Sequence, residues 1–169
     1  METVFLPGVE HPTIIVDYAH TPDALQNVLE TLKPLTKGRL VVVFGCGGDR
    51  DRGKRPMMGA IAVQCADVAI ATSDNPRTED PAQILAEIEA GMKESGGRRV
   101  EVDFLNGQGK QYLVIESRQQ AIACAINLAG RNDVVLISGK GHEDYQHTRS
   151  GKVYFDDRLE AKQELAKVW

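Results

Sequence analysis

The sequence predicts an α/β domain with a mostly parallel sheet and helices on both faces. Two observations carry this prediction. Continuous apolar runs at residues 40–44 (LVVVF) and 134–137 (VVLI) are typical of strands that are buried on both faces of a sheet. Such runs alternate with segments of helical periodicity, and this alternation favours parallel strands joined by helices. At 169 residues the chain is expected to form one domain, residues 1–169.

The individual elements follow from turn residues and apolar spacing. Strands are predicted at residues 13–16, 40–44, 68–71, 100–104, 112–115, 134–137 and 153–155. Helices are predicted where a capping residue or a proline precedes apolar residues at helical spacing. The predicted helix starts are Thr21–Pro22, Pro56, Pro81, Ser117 and Asp156–Asp157. Acidic residues are common at a helix start, so we interpret Asp156 and Asp157 as structural.

Composition excludes several classes of protein. The net charge of −4 argues against nucleic acid as the main partner, because phosphate binding requires a basic face. The cysteines Cys46, Cys65 and Cys124 are too far apart for a structural zinc site and indicate a reducing compartment. No apolar run reaches the ~20 residues of a membrane span, and no signal peptide is evident. We therefore expect a cytoplasmic protein without a membrane partner.

In parallel α/β sheets, ligands bind beyond the carboxyl ends of the strands. The loop at residues 45–55 fits the phosphate-binding pattern G-x-x-x-x-G-K from Gly48 to Lys54, but Arg55 follows where Ser or Thr would hold Mg²⁺. Arg50 also stands where a dinucleotide fingerprint needs its third glycine. The sequence favours a turn that directs one arginine into the ligand crevice over a phosphate-binding loop.

Three further loops carry polar groups. Asp74 and Arg77 flank a turn and offer an ammonium acceptor together with a carboxylate-binding fork, although turn chemistry alone would explain the Asp, Asn and Pro here. In the loop at residues 138–143, Glu143 can accept from an ammonium and Lys140 or His142 can meet an anion, or the loop is a flexible turn. His20 precedes a helix start, a position suited to phosphate or ribose, or is structural.

Five segments resemble motifs of the Mur ligase family. They are D-Y-A-H-T-P-D (17–23), F-G-C-G-G-D-R-D-R-G-K-R-P (44–56), D-N-P-R (74–77), G-K-G-H-E (139–143) and F-D-D-R (155–158). Each is weak alone, but all five occur in the order of the family and span nearly the whole chain. The resemblance implies a Rossmann-like fold and the third, carboxy-terminal domain of a three-domain ligase, the domain that binds the incoming amino acid.

The resemblance also implies a substrate and a division of labour. The D-N-P-R motif is similar to that of members that add meso-diaminopimelate to UDP-N-acetylmuramoyl-L-alanyl-D-glutamate; members that add lysine lack the arginine. ATP, Mg²⁺ and the catalytic groups would be bound mainly by a central domain that this chain lacks, so neither catalytic residues nor a metal site is expected here. The alternative is a free-standing amino-acid- or nucleotide-binding module without ligase activity. The implied diaminopimelate-binding residues are Arg50, Asp74, Asn75, Pro76, Arg77, Gly139 and Glu143, and the implied ATP-binding residues are Asp17 and His20.

Overall fold

The computed structural model describes all 169 residues, which form nine strands and five α-helices. In chain order the elements are β1 (Glu2–Val4), β2 (Thr13–Asp17), α1 (Pro22–Leu32), β3 (Leu40–Phe44), α2 (Lys54–Cys65), β4 (Val68–Ala71), α3 (Pro81–Glu94), β5 (Arg98–Arg99), β6 (Gln111–Val114), α4 (Arg118–Leu128), β7 (Val134–Ser138), β8 (Tyr145–Thr148), β9 (Gly151–Tyr154) and α5 (Asp157–Val168).

Seven strands form one sheet in the order β1-β2-β7-β3-β4-β6-β5. Every neighbouring pair is parallel except β1 and β2. The central strand β3 pairs Val42 with Leu136 of β7 on one side and with Ala69 of β4 on the other. All five residues of β3 are buried, as its apolar run predicts. The remaining strands, β8 and β9, form a separate antiparallel hairpin.

The helices cover both faces of the sheet. One apolar cluster joins the sheet to α1, α2 and α3, and a second joins its other face to α4 and α5. The predicted caps of α1 and α4 are present, because the side chains of Thr21 and Ser117 accept hydrogen bonds from the helix backbone. The predicted fold class is therefore confirmed. None of the five α-helices is long and apolar enough to cross a bilayer.

The predicted strand at residues 100–104 is wrong. The sheet holds only Arg98–Arg99 as β5, and Val102–Phe104 is a 3-10 turn. The side chains of Val102 and Phe104 are 48% and 73% exposed, so this apolar alternation has no sheet face to cover. Strands β1 and β8 were not predicted, whereas β9 overlaps the predicted strand at residues 153–155.

Candidate functional site

A cavity of about 350 Å³ opens at the edge of the sheet where β2, β3, β4 and β7 end. Because parallel strands place their carboxyl ends together, loops that are distant in sequence converge there. The lining residues are Tyr18, His20, Gly45, Cys46, Gly47, Arg50, Lys54, Asp74, Asn75, Arg77, Gly139, Glu143 and Tyr145. This set contains every residue predicted for the amino-acid site except Pro76, and of the two predicted for ATP it contains only His20.

Two arginines form the basic wall of the cavity. Arg77 has a left-handed backbone (φ 53°), and its Nη1 donates to the carbonyl oxygen of Gly48 at 2.9 Å. Arg50 donates only to the backbone oxygen of Asp49, also at 2.9 Å. Both guanidinium groups therefore keep N–H donors that no protein group uses. A guanidinium with free, parallel donors is suited to bind a carboxylate in a bidentate fashion.

The glycine-rich loop that carries Arg50 uses several of its backbone N–H groups within the protein. A phosphate-binding loop presents free backbone N–H groups to its anion. Here the N–H of Gly48 donates to the oxygen of Asn75, and the N–H of Asp49 donates to the carboxylate of Glu79. The N–H of Gly53 is taken by Asp51. The structure therefore agrees with the preference for an arginine-directing turn.

A buried ion-pair network fixes this loop against the D-N-P-R loop. The fully buried Arg55 donates to Glu79 at 2.6 Å and to Glu87 at 2.5 Å. The hydrogen bond from Arg55 lowers the pKa of Glu79 to about 2. Pro76 lies against Gly48, where an added Cβ would meet the proline oxygen at 1.9 Å. Pro76 thus sits behind the cavity and contributes to the loop contact that holds the two arginines in place.

Two acidic residues form a second part of the lining, the acidic wall. Asp74 and Glu143 both line the cavity, with side chains that are 10% and 18% exposed. The Oδ1 atom of Asp74 is buried and has no hydrogen-bond partner. The nearest cation to this oxygen is Nζ of Lys140 at 3.5 Å, which is longer than a good hydrogen bond, so the carboxylate of Asp74 is only weakly compensated within the protein. Together the two walls offer acceptors for an ammonium and donors for a carboxylate.

The expectation that Lys140 or His142 faces an anion is not met. The side chain of Lys140 is completely buried and points to the acidic residues instead of the cavity. The ring of His142 lies beside that of Tyr18, with 5.4 Å between centroids, and is not part of the cavity lining. The free cations of the cavity come instead from Arg50, Arg77 and Lys54.

The hairpin β8–β9 supports the D-N-P-R loop, a role that the sequence analysis missed. The backbone N–H of His147 donates to the side-chain oxygen of Asn75, and the backbone oxygen of His147 accepts from the N–H of Arg77, both at 2.9 Å. The side chain of Gln146 donates to the carbonyl oxygen of Asp74. A signal was present, because Ser150–Gly151 is a turn dipeptide between two runs of strand-forming residues.

The two residues predicted to approach ATP occupy different positions. Nδ1 of His20 donates to the carbonyl oxygen of Tyr18 at 2.8 Å, which leaves Nε2 free at the rim of the cavity. The carboxylate of Asp17 instead accepts from the backbone N–H of Ala19 at 2.8 Å and does not line the cavity. Asp17 therefore shapes the turn that presents His20.

A buried arginine beneath the cavity also escaped the sequence analysis. Arg118 forms a two-point ion pair with Asp157, at 2.8 and 2.7 Å, and both side chains are fully buried. Arg118 also donates to the backbone oxygens of Ser73 and Ser138, the residues that precede Asp74 and Gly139. It therefore links the ends of β4 and β7 to the start of α5. The structural interpretation of Asp156 and Asp157 agrees with this arrangement.

The parallel α/β fold and the charged cavity at its carboxyl edge define a candidate ligand-binding domain, and the comparisons assign it to the Mur ligase family. The chain belongs to this family, because the family described as "Mur ligase, glutamate ligase domain" matches residues 1–141. The chain is 53% identical over 168 residues to the UDP-N-acetylmuramoyl-L-alanyl-D-glutamate--2,6-diaminopimelate ligase of Synechococcus sp. (strain WH7803), covering 98% of this chain and 31% of that protein.

Solved structures support the same relationship. A structure described as a UDP-N-acetylmuramoyl-L-alanyl-D-glutamate--2,6-diaminopimelate ligase superposes with a TM-score of 0.82 at 41% identity, covering 99% of this chain and 31% of the other. E. coli FolC in complex with ADP superposes with a TM-score of 0.53 at 25% identity, covering 82% of this chain and 28% of FolC. The chain thus spans about a third of the length of these relatives.

Proposed function

We propose that residues 1–169 form the carboxy-terminal, amino-acid-binding domain of an ATP-dependent ligase that adds meso-diaminopimelate to UDP-N-acetylmuramoyl-L-alanyl-D-glutamate. One observation carries this proposal: a single cavity is lined both by two arginines, Arg50 and Arg77, and by two carboxylates, Asp74 and Glu143. Diaminopimelate has an amine and a carboxylate at each end, so its far end needs both a fork and an ammonium acceptor. The similarity to ligases of that name supports the same substrate.

The roles of the residues follow from their donors and acceptors. Arg77, with Arg50 beside it, binds the far carboxylate, while Glu143 and Asp74 accept from the far ammonium. Gly139 has a φ of 120°, so the backbone at the end of β7 can approach the ligand closely without a side chain in between. The near amine is left free to attack the activated carboxyl group. The domain thus contributes orientation, which can supply several kcal/mol of the barrier reduction, on the order of 7 to 11 at most.

We propose that ATP and Mg²⁺ bind mainly to parts of the ligase outside this chain. Three backbone N–H groups of the glycine-rich loop, those of Gly48, Asp49 and Gly53, are used within the protein, which argues against a phosphate cradle here. His20, and less directly Asp17, would approach the nucleotide when the domains close. FolC, a structural relative of this chain, was solved in complex with ADP, and this supports nucleotide use by the proposed ligase. We also propose a cytoplasmic location, which the three free cysteines support.

A free-standing binding module would have the same cavity. The ligase is favoured because this chain matches about a third of each ligase over nearly its own full length. The domain alone should therefore release no phosphate from ATP when supplied with diaminopimelate and the muramoyl dipeptide. Turnover by the purified chain would contradict the proposal that catalysis requires other domains of the ligase.

The binding proposal is tested by nuclear magnetic resonance titration of the ¹⁵N-labelled chain. We expect saturable shifts at the amides of Asn75, Arg77 and Gly139 with meso-diaminopimelate. Lysine lacks the second carboxylate and 2-aminopimelate lacks the second amine, so both should bind more weakly. Equal affinity for all three ligands, or shifts remote from the cavity, would refute the assignment of the site.

A further inference from the structure

Lys140 is the buried cation of the site, and the proposed function gives it no contact with substrate. It lies between Gly139 and Gly141, both with positive φ (120° and 54°). A Cβ on Gly141 would approach Tyr18 to within 2.8 Å, so this turn is held tightly against the first loop. The backbone oxygen of Lys140 accepts from the N–H of Glu143, which closes the turn. The turn therefore places the side chains of Lys140 and Glu143 close together.

The Nζ atom of Lys140 contacts three acceptors, and all three belong to residues that line the cavity. It donates to Oδ1 of Asn75 at 2.9 Å and lies 3.5 Å from Oδ1 of Asp74 and 3.4 Å from Oε2 of Glu143. Asn75 in turn donates from Nδ2 to the same Oε2 atom at 3.3 Å. The second oxygen of Glu143 has no partner in the protein and remains available to a ligand.

These contacts fix the orientation of the acceptors. The side-chain oxygen of Asn75 receives Lys140 and the N–H of His147, so its NH₂ group must point to Glu143. The ammonium of Lys140 also balances one of the two carboxylates. The acidic wall therefore keeps one uncompensated negative charge, which matches one ammonium group of a ligand.

We infer that Lys140 is a positioning residue that, together with the proposed function, confers selectivity for an amino acid with a second ammonium group. It does so by holding Asp74, Asn75 and Glu143 in one convergent arrangement. It does not bind an anion itself, because its side chain is completely buried and all of its contacts are with protein acceptors. Without it, two carboxylates would face each other with no fixed cation, and they would separate or take up solvent cations.

The experiment compares two ligands that differ only in the second amine, meso-diaminopimelate and 2-aminopimelate. The variant is Lys140→Met, which keeps the length of the side chain and removes its charge. Lys152→Met is the matched control, because Lys152 is exposed, contacts no carboxylate and lies over the same Tyr145 ring as Lys140. Dissociation constants come from the resonance titration, and thermal unfolding verifies that each variant is folded.

We expect the wild-type chain and Lys152→Met to prefer diaminopimelate by about tenfold or more, the worth of one charge-assisted hydrogen bond. In Lys140→Met the preference should fall below about threefold, through weaker binding of diaminopimelate. General destabilisation would weaken the binding of both ligands equally. The ratio of the two dissociation constants therefore separates a positioning role from a merely structural one. A ratio in Lys140→Met that is unchanged or larger than in the wild type would overturn the inference.

A second pair of variants covers the case in which Lys140→Met does not fold. Asp74→Asn removes one carboxylate while Lys140 still holds Glu143, and the double variant Asp74→Asn/Lys140→Met removes one carboxylate and one ammonium, so its cluster keeps the net charge of the wild type. If Lys140 acts by position, the ratio should be higher in Asp74→Asn, where Lys140 still holds Glu143, than in the double variant, although net charge alone would favour the double variant. Equal ratios, a higher ratio in the double variant, or an unfolded double variant would overturn the inference. If the wild-type chain binds neither ligand, the proposed function fails as well, whereas a wild-type preference that survives in Lys140→Met contradicts only the role of Lys140.

Discussion

Replacement of Arg77 gives the sharpest test of the substrate site. Arg77→Ala removes the guanidinium that we assign to the far carboxylate. A bidentate contact of this kind in a partly buried cavity contributes on the order of 2 to 4 kcal/mol. Each 1.36 kcal/mol corresponds to a factor of ten, so kcat/KM for diaminopimelate should fall by roughly a hundredfold or more. Arg77→Lys should restore little, because an ammonium cannot form the two parallel hydrogen bonds.

The assay is steady-state kinetics of a full-length ligase that contains this domain, with each substrate varied in turn. The KM for ATP should remain nearly unchanged, because the proposal places ATP mainly in another domain. Arg149→Ala is the matched control: Arg149 donates to the backbone oxygen of Thr78, next to Arg77, but does not line the cavity. Near-native kcat/KM for diaminopimelate in Arg77→Ala, or an effect mainly on the KM for ATP, would refute the reasoning.

Three further predictions concern the stability of the domain. The isolated chain should unfold cooperatively on heating, because its sheet has a core on both faces; loss of near-ultraviolet circular dichroism without a cooperative transition would contradict this. Arg55 lowers the pKa of Glu79 from 4.5 to about 2. The Arg55–Glu79 pair therefore stabilises the folded state fully above pH 4.5, and this contribution is lost as the pH falls through 2. Between pH 4.5 and 2, the free energy of unfolding measured in urea should therefore fall less in Glu79→Gln than in the wild type. Equal decreases in the two proteins would show that the Arg55–Glu79 pair does not cause the pH dependence. Arg118→Met leaves Asp157 buried and unpaired and should cost about 3–5 kcal/mol in urea unfolding, whereas Arg131→Met, at an exposed ion pair, should change little. Equal effects of these two substitutions would argue against a stabilising role of the buried Arg118–Asp157 pair.

The sequence was sufficient to predict which loops meet at the cavity. Apolar runs at β3 and β7 indicate a parallel sheet, and a parallel sheet places the loops after its strands at one edge. The charged residues of those loops were therefore expected to lie close together. Their convergence depends on the sheet alone, and so it could be predicted without any knowledge of side-chain contacts.

Side-chain direction could not be predicted in the same way. Lys140 was expected to meet an anion, yet the positive φ values of Gly139 and Gly141 turn its side chain inward, towards carboxylates. Arg118 reaches Asp157 across 39 positions of sequence, a separation over which local patterns carry no information. The prediction of a strand at residues 100–104 was wrong for a related reason. Apolar spacing does not reveal whether the rest of the fold offers a surface against which these side chains can pack.

The charged residues of the cavity come from two parts of the chain. Arg50, Asp74 and Arg77 lie inside residues 1–141, the region shared across the family, whereas Glu143 and the β8–β9 hairpin follow it. The hairpin nevertheless holds Asn75 and Arg77 through the backbone of His147, whose N–H and oxygen are independent of side-chain identity. Side chains in this tail can therefore change without loss of the backbone support for the arginine. In evolutionary terms, the acceptor that Glu143 supplies can diverge separately from the guanidinium of Arg77, whereas Asp74 lies in the same loop as Arg77.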